Sequence, residues 1–157
     1  MAQVNGKNLA LIAAGKKIPG GEINGRVKVL HESYTFAADV FAATDEILGP
    51  SLPAGATVID AYVAAPSLGA TGIFSLGHKA AADVDGNVVA EDPDAFVAAA
   101  DFGGAAALAR AGVSGKEAGL LSRFRTTQEV QTFLTCTEVT ATADTLVIDY
   151  VITYTID

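Results

Sequence analysis

The run "TLVIDYVITYTID" at residues 145–157 constrains the fold of this chain more than any other stretch. Leu146, Ile148, Tyr150, Ile152, Tyr154 and Ile156 fall on one parity, and Val147, Asp149, Val151, Thr153, Thr155 and Asp157 on the other. A helix would scatter the six large side chains around its axis, whereas a strand lines them up on one face. Most are β-branched or aromatic, the types that suit a pleated surface. A strand with one apolar face needs a second layer to cover that face, so this run already demands a layered β structure.

Similar alternation recurs along the chain. In Thr57 to Val63, Thr57, Ile59, Ala61 and Val63 form one set and Val58, Asp60 and Tyr62 the other. Pro53 and Gly55 before this run, and Pro66, Gly69 and Gly72 after it, are residues that reverse a chain. Glu22 to Phe36 places Val27 and Val29 on one face and Leu30, Tyr34 and Phe36 on the other, broken by a turn or bulge at Asn24-Gly25. A short segment from Ala38 to Leu48 leads into the proline-rich corner, and Gly72 to Ala80 reads as the hairpin partner of Thr57 to Ala64. Arg123 to Thr127 and Glu129 to Val139 are rich in Thr, Val and Phe, and Ala141 to Asp144 is a polar turn before the final run.

The middle reads differently. Asp92-Pro93-Asp94 followed by Ala95-Phe96-Val97-Ala98-Ala99-Ala100 has the form of an N-cap, a proline at the first helical position and an alanine-rich helix. Gly103-Gly104 ends it, and a second short helical run is expected from Ala105 to Ala111, with Gly112 as its stop. Seven or eight strands without βαβ alternation give an all-β fold, a jelly-roll-like antiparallel β-sandwich with a short helical insertion. Residues 22–157 form one sandwich domain, and residues 1–21 a basic N-terminal arm or an extra strand.

Charge and composition limit the function. The 157 residues are 50% hydrophobic and 18% charged, enough to bury a core in one domain. Mean hydropathy is +0.37, but alanine supplies much of it and no apolar run reaches the roughly 20 residues of a spanning helix, so a soluble protein with no membrane partner is expected. Leu9 to Ala14 is short for a signal core and is followed at once by Lys16 and Lys17. The net charge of −8 argues against nucleic acid as a partner. Lys7, Lys16, Lys17, Arg26 and Lys28 against Glu22 leave residues 1–28 at +4 and the remainder at −12. That is either a solvated tail or an arm that docks on an acidic neighbour. Cys136 cannot form an internal disulfide because it is the only cysteine, and its apolar run reads as buried.

Catalytic patterns are absent. His31 and His78 stand in predicted strands without a companion at metal-ligand spacing, and read as structural or exposed polar residues. Gly112-Val113-Ser114-Gly115-Lys116 matches neither a nucleophile elbow nor a phosphate loop. Asp83, Asp85, Asn87, Glu91, Asp92 and Asp94 bring oxygen ligands together as a calcium site would, but the glycine and the closing glutamate miss their EF-hand places. The plainer reading is a hairpin turn at Asp85-Gly86 and a helix start at Asp92-Pro93, the alternative a divalent cation site of another kind. No catalytic, cofactor-binding or metal residue is nominated, and no enzyme activity is expected.

The segment "ADVFAATDEILGPSLPAGATVIDAYVAAPSLGATGIFSLGH", followed by "DPDAFVAAADF" and the terminal run, resembles the head decoration, or capsid cement, proteins of tailed bacteriophages. Leu52-Pro53-Ala54-Gly55, Val58-Ile59-Asp60 and Leu68-Gly69-Ala70-Thr71-Gly72 occupy the corner, strand and turn places of that family. The resemblance runs from about Gly25 onward and fits the first 24 residues least well. It implies a jelly-roll-like sandwich that forms a homo-oligomer, often a trimer. Such a protein is made in the host cytoplasm and sits on the outer capsid surface of the virion, where it binds the major capsid protein and ties capsomers together. The loops at Pro53-Gly55 and Gly69-Gly72 would then lie at one end of the sandwich, where a neighbour can be gripped. Other readings are a tail or head-fibre component with a structural or receptor-binding role, and a carbohydrate-binding module. The lack of Trp and the 7% aromatic content weaken the last.

Overall fold

The computed structural model of the chain describes residues 26–36, 43–69, 72–82, 87–111, 128–139 and 146–156. The expected arm or extra strand at 1–21, the Asn24-Gly25 turn, the Arg123 to Thr127 strand and the Ala141 to Asp144 turn lie outside these residues. Among the described residues the chain forms strands: β1 (Arg26–Thr35), β2 (Glu46–Leu52), β3 (Ala56–Ala65), β4 (Gly72–His78), β5 (Ala81–Ala82), β6 (Val88–Val89), β7 (Asp92–Asp101), β8 (Ala107–Arg110), β9 (Val130–Val139) and β10 (Val147–Ile156). None of them is a helix long and apolar enough to cross a membrane.

Two four-stranded antiparallel sheets pack over one core. Sheet 1 has the order β1-β10-β3-β8 and sheet 2 the order β2-β9-β4-β7, while β5 and β6 pair as a small hairpin between β4 and β7. The chain alternates between the sheets from β1 to β4, and again from β7 to β10. This is the jelly-roll arrangement, in which sequence neighbours face each other across the core. Leu30, Val58, Val63, Ile148 and Ile152 from sheet 1 meet Leu52, Phe74, Leu76, Val97 and Leu134 from sheet 2 in a continuous buried cluster. Burying each such side chain contributes on the order of 1.5–3 kcal/mol, an upper figure because the unfolded chain is itself partly collapsed.

β10 behaves as its alternation requires: Ile148, Tyr150 and Ile152 are fully buried, and the strand lies between β1 and β3. In β1, Val27 and Val29 face solvent while Leu30 enters the core, as does Phe36 just past the strand. β3 changes phase. Val58 pairs with Tyr154 and Asp60 with Thr153, which leaves Ile59 as an extra residue in a bulge. Val58 faces inward before the bulge and Ala61 and Val63 after it, while Ile59 is 40% exposed. A strict period of two had put Ile59 with Ala61 and Val63, so one inserted residue corrects that grouping.

Two further expectations are corrected. The helical insertion is absent: Asp92–Asp101 is a full strand, and the second run, Ala105 to Ala111, contains strand β8. Small alanines let β7 lie flat against β4, and Ala95, Phe96 and Val97 are all buried, so tertiary burial outweighs local helix propensity. Pro93 is tolerated because β7 is an edge strand. Nor is β4 a hairpin partner of β3, since it pairs with β7 and β9 in the opposite sheet.

Glycines mark the corners. Gly55 and Gly69 have φ of 73° and 115°, and the amide of Ala56 donates to Pro53 O at 3.1 Å, closing the β2–β3 turn. The turn reading therefore holds at Pro53-Gly55 and at Gly69, while residues 70–71 lie outside the described residues. The two loops lie at opposite ends of the sandwich, because the whole of β3 runs between them. A tighter constraint is Gly77, where a Cβ would come within 1.9 Å of Asp92 O and 2.5 Å of Pro93 C. Between the pairs Leu76–Val97 and His78–Asp92, β7 arches over this glycine.

Candidate interaction surface

The two outer faces differ. On sheet 2, Phe133 points away from the core yet is fully buried, because Lys79 extends over its ring with Nζ 4.2 Å from the centroid. The same Nζ donates to both carboxylate oxygens of Glu46, at 2.6 and 2.7 Å, and lies 3.2 Å from Glu91. Burial lowers the Lys79 pKa, but the hydrogen bonds and charges of Glu46 and Glu91 outweigh it and hold the ammonium above its ordinary value. Lys79 is thereby pinned to the outside of sheet 2, held by Glu46 and Glu91 above Phe133.

Among the described residues, no such cover lies on the exposed apolar residues of sheet 1. Val27 and Val29 on β1 and Leu108 on β8 are each more than 60% exposed. The register sets His31, Val151, Tyr62 and Arg110 in one row across the four strands, and Ser33, Asp149, Ala64 and Leu108 in the next. Charges on this face are paired. Arg110 Nε lies 3.0 and 3.1 Å from the two oxygens of Asp60, its Nη2 reaches the same carboxylate, and this partner raises the Arg110 pKa. Beside Asp149, Ala64, Pro66, Ala107, Leu108 and Val147 line a shallow groove of about 440 Å³.

Ser33, His31 and Asp149 meet on this face and have the composition of a catalytic triad, but not its geometry. Asp149 Oδ1 accepts from both His31 Nε2, at 3.2 Å, and Ser33 Oγ. Ser33 Oγ also lies 3.2 Å from His31 Nε2, so serine and carboxylate crowd the same ring nitrogen, whereas in a triad they take opposite ones. The three groups converge on Asp149 Oδ1 and do not have the arrangement of a Ser–His–Asp triad. The other histidine, His78, is buried beside Phe96, and its Nδ1–H donates to Lys79 O at 3.0 Å.

A buried polar chain ties the sheets together. The Tyr150 hydroxyl on β10 donates to Thr132 Oγ1 on β9 at 2.7 Å, and Thr132 Oγ1 donates in turn to Pro50 O on β2 at 2.7 Å. Gly49 makes room for it, since a Cβ there would fall 1.5 Å from the tyrosine oxygen. Burial pushes the Tyr150 pKa up to about 12, and the charge of Glu32 adds to the rise.

In the acidic stretch, Asp83 and Asp85 lie outside the described residues, Glu91 is held by Lys79, and Asp92 and Asp94 begin β7. Among the described residues, no three His, Cys, Asp or Glu side chains gather as a metal site. Cys136 is buried in β9. Sequence reasoning missed the Lys79, Asp60–Arg110 and Asp149 clusters. The parity of β1 and β10 put Ser33, His31 and Asp149 on outer faces, but the pairing of these two strands was not visible in either.

No protein-family model matches the chain, and no curated protein matches it. Its fold does match solved structures. A chain of the cyanophage Pam1 capsid asymmetric unit aligns with a TM-score of 0.60 and 18% identity, over 90% of this chain and 92% of that one. A chain of the capsid of Ralstonia phage GP4 aligns with a TM-score of 0.65 and 18% identity, over 84% and 85%. At this identity the likeness is one of fold: the chain is a jelly-roll β-sandwich of the kind found in these two phage capsids.

Proposed function

We propose that this chain is a structural, non-enzymatic protein of a tailed-bacteriophage head, of the decoration or cement type. It binds the major capsid protein on the outer surface of the virion and stabilises the shell. The observation that carries the reading is the near-complete mutual coverage with a chain of the cyanophage Pam1 capsid asymmetric unit. The acidic body suits the outside of a shell, away from packaged DNA. Contacts made only with the assembled lattice would favour assembly by mass action, and a homo-oligomer, with the trimer as the family expectation, would multiply them by effective concentration.

The test is co-sedimentation with expanded, empty capsids that lack the protein, followed by imaging. Regular density on the outside of the head supports the proposal. Failure to sediment with heads, or attachment to tails, overturns it.

A further inference from the structure

The edge of a sheet presents a row of open backbone groups, and this sandwich treats its four edge strands unequally. β7 carries Pro93, β2 shifts register between Leu48 and Ser51 around Pro50, and β8 is only four residues long. β1 runs ten residues in unbroken register with β10 and has neither proline nor bulge. Phe36 donates its amide to Leu146 O, so even-numbered residues here turn their backbone groups toward β10. The odd-numbered ones, Val27, Val29, His31, Ser33 and Thr35, turn theirs to the outer edge. Among the described residues no strand pairs with that edge, and the Glu32 carboxylate takes the Ser33 amide there at 3.0 Å.

The chain itself holds a segment of the right chemistry. Residues 1–21 contain Lys7, Lys16 and Lys17 and no acid, a charge of +3 that leaves −11 on the rest of the chain. Within them Leu9, Leu11 and Ala13 alternate with Ala10, Ile12 and Ala14, a run of strand length and strand period. Residues 19–25 separate this region from the start of β1 at Arg26. That connection is longer than the roughly two to five residues of a hairpin loop folding back on its own strand, and it spans up to about 23 Å when extended.

We infer that residues 8–18 of one copy add a strand to the outer edge of β1 in the next copy. The inference rests on the homo-oligomer of the proposed function and names the contact that builds it. The open groups of Val27, Val29, His31 and Thr35 supply the backbone pairing, and the three lysines offset the repulsion between two acidic bodies. A copy that gives its segment to one neighbour and receives another from the next makes a head-to-tail contact, which closes as a ring and so fits a trimer.

The experiment reads hydrogen exchange and light-scattering mass together on the full chain. Exchange at Leu9 to Ala14 should be slowed about ten-fold or more, and the mass should be a multiple of 15.9 kDa, three-fold for the trimer. Val29→Pro removes one outward N–H and spares the bonds to β10, while Leu11→Pro spoils the donated run from the other side. Each should bring the mass down to one chain and restore fast exchange at residues 9–14. Val29→Thr keeps the N–H and should change neither reading. Unchanged melting checks the fold of Val29→Pro, and Leu11→Pro decides alone if that variant unfolds, since residue 11 lies outside the sandwich strands. Four results overturn the inference: a wild-type monomer, fast exchange at 9–14 in the wild type, a mass that survives both prolines, or equal loss in Val29→Thr. Protection lost without loss of mass marks a strand kept within its own copy, and overturns it too. Binding to heads is read separately by co-sedimentation, so a chain that exchanges segments but ignores heads would sink the proposed function and leave this contact standing.

Discussion

Sheet 1 and sheet 2 supply four strands each to one core, but treat their outer faces in opposite ways. Sheet 2 covers Phe133 with Lys79, which bridges Glu46 and Glu91 above the ring. Sheet 1 pairs Asp60 with Arg110, hydrogen-bonds Asp149 to His31 and Ser33, and leaves valine and leucine in solvent. Burial dictates what an inner face must be, while an outer face is free to diverge. In this sandwich the difference between the outsides, more than the core, says where a partner can sit.

The largest expected effect comes from breaking the self-covered side. Gly77→Ala sets a Cβ against the β7 backbone, which cannot swing aside as a side chain can, and should lower stability by more than about 3 kcal/mol in denaturant titration. Next comes the tie between the sheets. With Tyr150 at about 12 in the folded protein and an ordinary value of 10.0, the unfolded chain loses its proton first as pH rises. Stability is therefore unaffected by this group below pH 10 and falls between pH 10 and 12, by about 2–3 kcal/mol in all. Tyr150→Phe should remove that part of the alkaline loss while costing about 1 kcal/mol at neutral pH for the lost hydrogen bond. Lys79→Met retains the stem over Phe133 but leaves Glu46 and Glu91 unpaired, and should cost about 1 kcal/mol at low salt and less at high salt. The smallest effect belongs to sheet 1: Arg110→Ala opens an exposed ion pair and should leave the melting temperature unchanged within error. A large loss there would mean that sheet 1 depends on its outer face as sheet 2 does.

How far the sequence could be read followed the range of the forces involved. The faces of β10 and the outward Val27 and Val29 of β1 were legible because alternation is local and burial acts on it directly. Ile59 was misplaced because a bulge shifts the period with no change in residue type. β7 was read as a helix because Asp92-Pro93-Asp94 and four alanines satisfy every local helix rule, while the competing term, burial of Phe96 and Val97 in the sandwich, depends on strands far away in sequence. The same distance hid the surface clusters: Lys79 meets Glu46 and Phe133, and Asp60 meets Arg110, only after the sheets have formed. Cys136 and the histidines were placed correctly in strands, since each sits in a run whose character is local.

The central position of β10 has a consequence for how the protein is made. β1 and β3 share a sheet only through β10, and roughly 120 residues separate Arg26 from Val147. At about 5–20 residues per second, β1 waits some 6 to 24 s on the ribosome before β10, its neighbour in the sheet among the described residues, has been synthesised. During that interval Leu30, Tyr34 and Phe36 have no sheet to close over them. Folding must therefore be late and dominated by long-range pairing, the slow regime for a β protein, and the nascent chain is most open to chaperones and to aggregation while its last strand is still being translated.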